Sequence, residues 1–258
     1  MKSSKISASK IYMGTSGLTL PVPNKAFYPD EFKEKSRLCF YSSLMNSIEI
    51  NSSFYKTPMG STVAKWVNEV GDDFKFTFKL LRDITHSKGL VFDPLLLQKF
   101  MDSISFAHAK QGVLLVQFPP SLKADLFLKV ERLLSLIREY VPIGWKIALE
   151  FRHPSWYKME TYDLLNEQQV ALVIHDKSPA NTPMIELSTN FVYLRFHGPG
   201  GNYRGSYDES FLSEYANYIS DWLREGKEVY VYFNNTMGEA YQNLRTLHDF
   251  VKELRFEG

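Results

Sequence analysis

Between Ile11 and Asn235 the sequence passes eight times through a short run rich in Val, Ile, Tyr and Phe, and amphipathic helical stretches separate most of these runs. No other feature limits the fold as much. A strand–helix–strand crossover joins parallel neighbours, so a series of them builds a parallel sheet with helices packed on its outer face. The runs are IYMGTSG (11–17), SIEINSSF (47–54), KFTFKL (75–80), GVLLVQF (112–118), KIALEFR (146–152), ALVIHD (171–176), FVYLRFHG (191–198) and EVYVYFNN (228–235). Helical spacing is expected up to Leu44, between a Ser61 cap and Gly71, after Asp93 with Pro94 in the first turn, and over 124–140, 158–168, 209–224 and 238–254. The sixth run leads instead into SPANTP, which has no helical pattern. No run is followed by a dinucleotide glycine fingerprint or a P-loop, so an open doubly wound sheet has little support. The expected fold is α/β, a single (β/α)8 TIM barrel over residues 11–258, with an irregular connection between strands 6 and 7 and a loose N-terminal lead-in over 1–10.

Composition narrows the partners. With 44% hydrophobic and 23% charged residues the chain can bury a large core. Thirty basic side chains against 29 acidic ones leave a formal charge of +1, which gives no global pull toward nucleic acid or an anionic membrane, so any anion site must be local. The one cysteine, Cys39, forms no internal disulfide, and its apolar setting in SRLCFYSSL marks it as a core residue. MKSSKISASK at the N-terminus is basic without a secretory apolar stretch, and no segment approaches the ~20 apolar residues of a membrane span. A cytoplasmic protein with no membrane partner is expected.

Side chains alternate across a strand, so assigning one residue to the barrel interior assigns the rest. If Leu149 and Phe151 face the helices, Ala148, Glu150 and Arg152 point inward. The same rule places Glu49 and Asn51, Thr77 and Lys79, Gln117, then Tyr193, Arg195 and His197, and finally Tyr230, Tyr232 and Asn234 inside. The sixth run leaves His175 and Asp176 as alternatives. Polar groups thus gather at the C-terminal ends of the strands, the face where barrel enzymes build their sites. A buried ion network that only plugs the barrel is the competing explanation, and desolvating several charges at once weighs against it.

The ordered motifs MGTSG, IEINSSFYKTP, FKLLRDITH, QFPPS, ALEFRHPSW, YLRFHG and VYVYFNN resemble those of the YecE-like family, over nearly the whole chain from Tyr12 to Leu247. The resemblance implies the TIM barrel and places Glu49, Asn51, Lys79, His86, Gln117, Glu150, Arg152, His153, Trp156, Asp176, Arg195, His197, Gly198, Asn234 and Asn235 at family motif positions. It implies no activity. The chain departs from the family pattern at Leu18 to Ala26, where an aromatic stretch is common, and at Thr236, where an aspartate is frequent.

Acid/base chemistry at the mouth is assigned to Glu49, Glu150, His153 and His197, because carboxylates and imidazoles held in different environments can take and give protons. Substrate contacts are expected from Asn51, Lys79, Gln117, Arg152, Trp156, Asp176, Arg195, Arg204, Asn234 and Asn235. The loop HGPGGNYRG and the N-terminus of the last helix would add backbone N–H groups, favouring a small anionic or phosphate-bearing ligand. The expected function is that of an enzyme, a hydrolase, lyase or isomerase. A metal-assisted phosphodiesterase or nuclease is one alternative, using His153, His175, Asp176, His197 and the glutamates. The ligand spacing is not compact and arginines share the cluster, so no metal ligand or cofactor is assigned. A non-catalytic binder of nucleotides or single-stranded nucleic acid, stacking bases on Trp156 and Tyr203, is the other.

Overall fold

Each apolar run forms a strand whose residues alternate between two buried environments. The computed structural model describes residues 10–140, 144–185 and 187–256; the expected lead-in falls almost wholly outside them. The strands are β1 (Ile11–Thr15), β2 (Ser47–Ile50), β3 (Lys75–Lys79), β4 (Gln111–Gln117), β5 (Lys146–Glu150), β6 (Ala171–His175), β7 (Phe191–Phe196) and β8 (Glu228–Phe233). They form an 8-stranded parallel sheet in the order β1-β8-β7-β6-β5-β4-β3-β2. The helices are α1 (Arg37–Leu44), α2 (Gly60–Glu69), α3 (Arg82–Thr85), α4 (Pro94–Ser105), α5 (Phe127–Tyr140), α6 (Met159–Glu167), α7 (Glu209–Arg224) and α8 (Ala240–Phe256). No helix occurs among the described residues between β6 and β7, and none in the described chain is long and apolar enough to cross a membrane.

Two cores follow from the alternation. Ile48, Ile50, Phe76, Phe78, Leu149, Phe151, Leu194 and Phe196 lie in the outer core beneath the helices. Tyr12, Val113, Leu115, Ala148, Ala171, Val173, Phe191, Tyr193, Tyr230 and Tyr232 fill the barrel itself. Tyr230 stacks on Tyr12 with ring centroids 4.8 Å apart, and the Tyr232 hydroxyl lies 2.5 Å from Ser47 Oγ and 2.7 Å from Thr77 Oγ1. The interior is a packed plug below the mouth, as side-chain layers in such barrels require.

Closure between β1 and β2 depends on side chains. The backbone joins these strands through a Ser16–Glu49 bridge, with Gly17 N donating to Glu49 O at 2.9 Å. Asn46 continues the seam, accepting from Met13 N at 2.8 Å and donating to Ile11 O at 2.8 Å. The Tyr41 hydroxyl accepts from Thr15 N at 2.8 Å and donates to Ser47 O at 3.0 Å. The strands approach so closely at Gly14 that a Cβ there would stand 2.0 Å from Ser47 O.

Several local expectations change. Asp93 does cap α4, accepting from Leu95 N, with Pro94 in the first turn. Ser61, however, lies inside α2, whose N-cap is Met59 without a side-chain bond, and the helix ends before Val70 rather than at Gly71. The second run stops being a strand at Ile50, and Asn51–Phe54 forms a 3-10 turn.

Candidate active site at the barrel mouth

Glu49, Glu150, Arg152, Arg195 and His197 come together at the C-terminal end of the barrel, all buried. Registers bring them level: Glu150 pairs with Gln117, and His175 with Arg195. Arg195 is fully engaged. Its Nε lies 3.1 and 3.0 Å from the two Glu49 oxygens, its Nη2 lies 2.8 Å from Glu49 Oε1, and its Nη1 lies 3.1 Å from Glu150 Oε2. Glu49 also accepts from Ser16 Oγ at 2.6 Å and from the Tyr193 hydroxyl at 2.5 Å. Burial by itself would raise the Glu49 pKa, but the Arg195 charge and these donors outweigh it and hold the carboxylate below its ordinary range. Glu150 is likewise buried, and Arg152 and Arg195 hold it well below that range.

His197 is locked. Its Nε2 accepts from Arg152 Nη2 at 2.8 Å and Arg195 Nη1 at 3.1 Å, so the ring proton lies on Nδ1, which faces Asp176 Oδ1 at 3.1 Å. Burial pushes its pKa down to about 4 although Asp176 opposes the shift. Asp176 itself accepts from His197 N at 2.8 Å and from the Tyr207 hydroxyl. Both alternatives of the sixth run therefore reach this region, in different ways. His175 follows the inward parity, and its ring contacts Phe151 O at 2.8 Å and Lys177 N at 3.2 Å.

Arg152 differs from Arg195. Its Nη2 makes ion-pair contact with Glu150 Oε1, yet no aligned hydrogen bond forms there, and its Nε and Nη1 are buried without a hydrogen-bond partner. Lys79 is also uncommitted: its Nζ sits 4.1 Å above the Phe54 ring. Burial lowers its pKa to about 7, with Arg195 and Arg152 adding to the effect and both glutamates opposing it.

The remaining expected residues divide between mouth and frame. Asn51 Oδ1 is 3.4 Å from Arg195 Nη2, and Gln117 donates to Phe118 O at 2.9 Å. Asn234 is buried at the end of β8, with its backbone N on Phe196 O at 2.6 Å. His153 caps the turn after β5 by accepting from Ser155 N at 3.2 Å. His86 packs edge-on to Phe54 and, by burial and the nearby Lys79 charge, has its pKa lowered to about 4.

Trp156 is a correction. It was expected at the rim, but its ring is fully buried in the outer core, stacked 4.3 Å from Phe151 with Nε1 donating to Leu122 O. The turn after β5 carries it over the helix-facing side, where Phe151 already points. Asn235 is also a frame residue, donating to Gly205 O and Asn243 Oδ1 at 3.0 Å each.

The glycine-rich loop has much of its backbone already committed. Gly198 N donates to the Tyr207 hydroxyl, Gly201 N to Gly198 O, and Tyr203 N to His197 O. Before α8, Met237 N and Glu239 N donate to Tyr203 O and Gly205 O. These donors hold the loop against the helix start, and the Arg204 side chain is exposed. Among the described residues no group of three or more His, Cys, Asp or Glu side chains is arranged to hold a metal ion.

Sequence reasoning missed Ser16 and Tyr207. Ser16 was within reach, because strand parity from Tyr12 through Gly14 points it inward. Tyr207 lies in an aperiodic loop and left no such signal.

Comparison with known proteins agrees with this architecture. Residues 12–256 match the family described as "Protein of unknown function DUF72". The UPF0759 protein YunF of Bacillus subtilis is 27% identical over 259 residues, covering 88% of this chain and 89% of YunF. The UPF0759 protein YecE of Escherichia coli is 26% identical over 146 residues, 55% of this chain and 52% of YecE. A DUF72 family protein of Thermotoga maritima, solved by crystallography, superimposes with a TM-score of 0.73 at 27% identity, covering 95% of this chain and 99% of that one.

Proposed function

The chain belongs to the DUF72 family, and from that premise we propose that the barrel mouth is the active site of an enzyme that holds a phosphate-bearing or otherwise anionic substrate on Arg152. The observation that carries this reading is the pair of buried, unpartnered donors Nε and Nη1 of Arg152. Charged donors left unsatisfied in a buried position are costly, and oxyanions are the ligands that match guanidinium geometry. Arg195 is not the substrate contact in this reading, because Glu49, Glu150 and His197 already take up its nitrogens.

The proton chemistry then falls to Glu150 Oε1 and Lys79 Nζ, neither of which makes an aligned hydrogen bond. Glu150 Oε1, a buried carboxylate oxygen that ion-pairs with Arg152 but accepts no aligned hydrogen bond, serves as the base. Lys79, with a pKa of about 7, serves as the acid. Glu49 and His197 fix the arginines in place. Metal-assisted chemistry has less support, since two guanidinium groups stand among the carboxylates it would use and would repel a cation. Base stacking retains only Tyr203 of its two expected aromatics.

Titration with inorganic phosphate tests the reading. Removing a charge-assisted bond costs on the order of 1.5–3 kcal/mol, so Arg152→Ala should weaken binding about tenfold or more while Lys129→Ala leaves it unchanged. Equal affinity in all three proteins, or no saturable binding in the unaltered one, would defeat it.

A further inference from the structure

Lysine burial divides into two cases in this molecule. Among the described residues Lys79 and Lys110 are both buried. Lys110 is satisfied: its Nζ donates to Val67 O at 2.9 Å and Val70 O at 2.6 Å, with Asp72 3.8 Å away. Lys79 Nζ has the Phe54 ring at 4.1 Å and no hydrogen bond or ion pair among the described residues. Yet it stands at the end of β3, inside the mouth, near two glutamates that are already paired with arginine. An amine meant only to neutralise charge would take one of those carboxylates as a partner.

We propose that Lys79 is a nucleophile whose amine forms an imine with the carbonyl carbon of an aldehyde or ketone substrate. This rests on the reading above in one respect, that Arg152 holds the anionic group of the same substrate, and it replaces the acid role given there to Lys79 with a covalent one. The groups facing the amine set its proton affinity: Arg195 on β7 and Arg152 after β5 disfavour its charge, Glu49 and Glu150 favour it, and His86 after α3, its own pKa lowered to about 4, is neutral at pH 7. With burial added, the balance falls near neutrality, so a large fraction of the amine is unprotonated at physiological pH, as a Schiff-base lysine requires.

The step balances without an oxidant. The Nζ lone pair forms the N–C bond as the carbonyl π pair moves to oxygen. The C–O bond then breaks, and the oxygen leaves as water with the two amine hydrogens, leaving C=N. Once the imine is protonated from solvent, Glu150 Oε1 can take the proton of the neighbouring C–H, whose pair forms a C=C bond as the C=N π pair moves to nitrogen, giving an enamine. That sequence narrows the reaction class to a lyase or isomerase acting next to a carbonyl.

The test uses glyceraldehyde 3-phosphate and glyceraldehyde as probes at pH 7, each with cyanoborohydride to reduce the imine to a stable secondary amine, followed by peptide mapping. The expected result is modification of Lys79 at least tenfold faster than of the exposed Lys129 and Lys252, with the phosphorylated probe more effective and inorganic phosphate protective. Lys79→Met should remove that adduct, but mapping the unaltered protein decides the matter even if the variant misfolds. Lys79 reacting no faster than Lys129 in a protein that binds phosphate would overturn the nucleophile and leave the anion site standing. Preferential Lys79 labelling by both probes, without phosphate protection or binding, would support the amine and remove the Arg152 reading.

Discussion

His197 Nε2 lies 2.8 Å from Arg152 Nη2, and because a guanidinium only donates, this contact determines the imidazole tautomer. The ring must carry its proton on Nδ1, toward Asp176, and stay neutral. Nitrogen NMR at pH 7 should show a neutral Nδ1–H form.

The same contact predicts a pH dependence of stability. His197 and His86 both have pKa values lowered from about 6.5 to about 4, so the unfolded chain takes up protons that the folded chain refuses. Their contribution is complete above about 6.5 and is lost as pH falls toward 4. Glu49 and Glu150, lowered below the ordinary 4.5, add further loss beneath that value. Urea midpoints measured from pH 7.5 down to 4 should therefore fall before the carboxylates begin to titrate. A flat profile down to pH 5 would contradict the histidine assignments.

Arg195→Met should destabilise the fold strongly, because it leaves Glu49 and part of Glu150 buried without their countercharge. Breaking a buried pair on one side costs about 3–5 kcal/mol. Denaturant unfolding measures the loss. Arg195→Lys should recover little, since one ammonium cannot reproduce the separate guanidinium contacts to both carboxylates.

The seam between β1 and β2 should be intolerant at Gly14 and more forgiving at Gly17. An added Cβ at Gly14 meets Ser47 O at 2.0 Å and the Tyr41 hydroxyl at 2.8 Å, whereas at Gly17 it meets nothing within 4 Å and the strain comes only from φ +94°. Gly17→Ala should cost about 1–2 kcal/mol. Gly14→Ala should cost more, because backbone must move, and thermal unfolding of the two variants gives the comparison directly.

Trp156→Ala should separate stability from binding. Emptying a fully buried tryptophan site costs about 3–5 kcal/mol, while the phosphate titration should stay unchanged because the ring lies in the outer core. Weakened phosphate binding in a variant that remains folded would return Trp156 to the mouth.

The sequence by itself determined the barrel and the inward side of its strand ends. Alternation with period two is a local property, so once Leu149 and Phe151 were assigned outward, Glu150 and Arg152 had to point inward, and the rule held for Glu49, Lys79 and Arg195 as well. Loops and registers are not local in that sense. Whether Arg195 or Arg152 keeps free donors depends on how far each strand is staggered against its neighbours, which brings Glu49 across from β2 to take Arg195 and leaves Arg152 beyond the end of β5 with unpaired nitrogens. Trp156 turned outward because a single 3-10 turn after β5 reversed its direction, and Tyr207 reached Asp176 only because the loop folds back on β7. Those pairings join residues far apart in the chain, and only tertiary structure could decide which polar groups are satisfied and which are left without a hydrogen-bond partner.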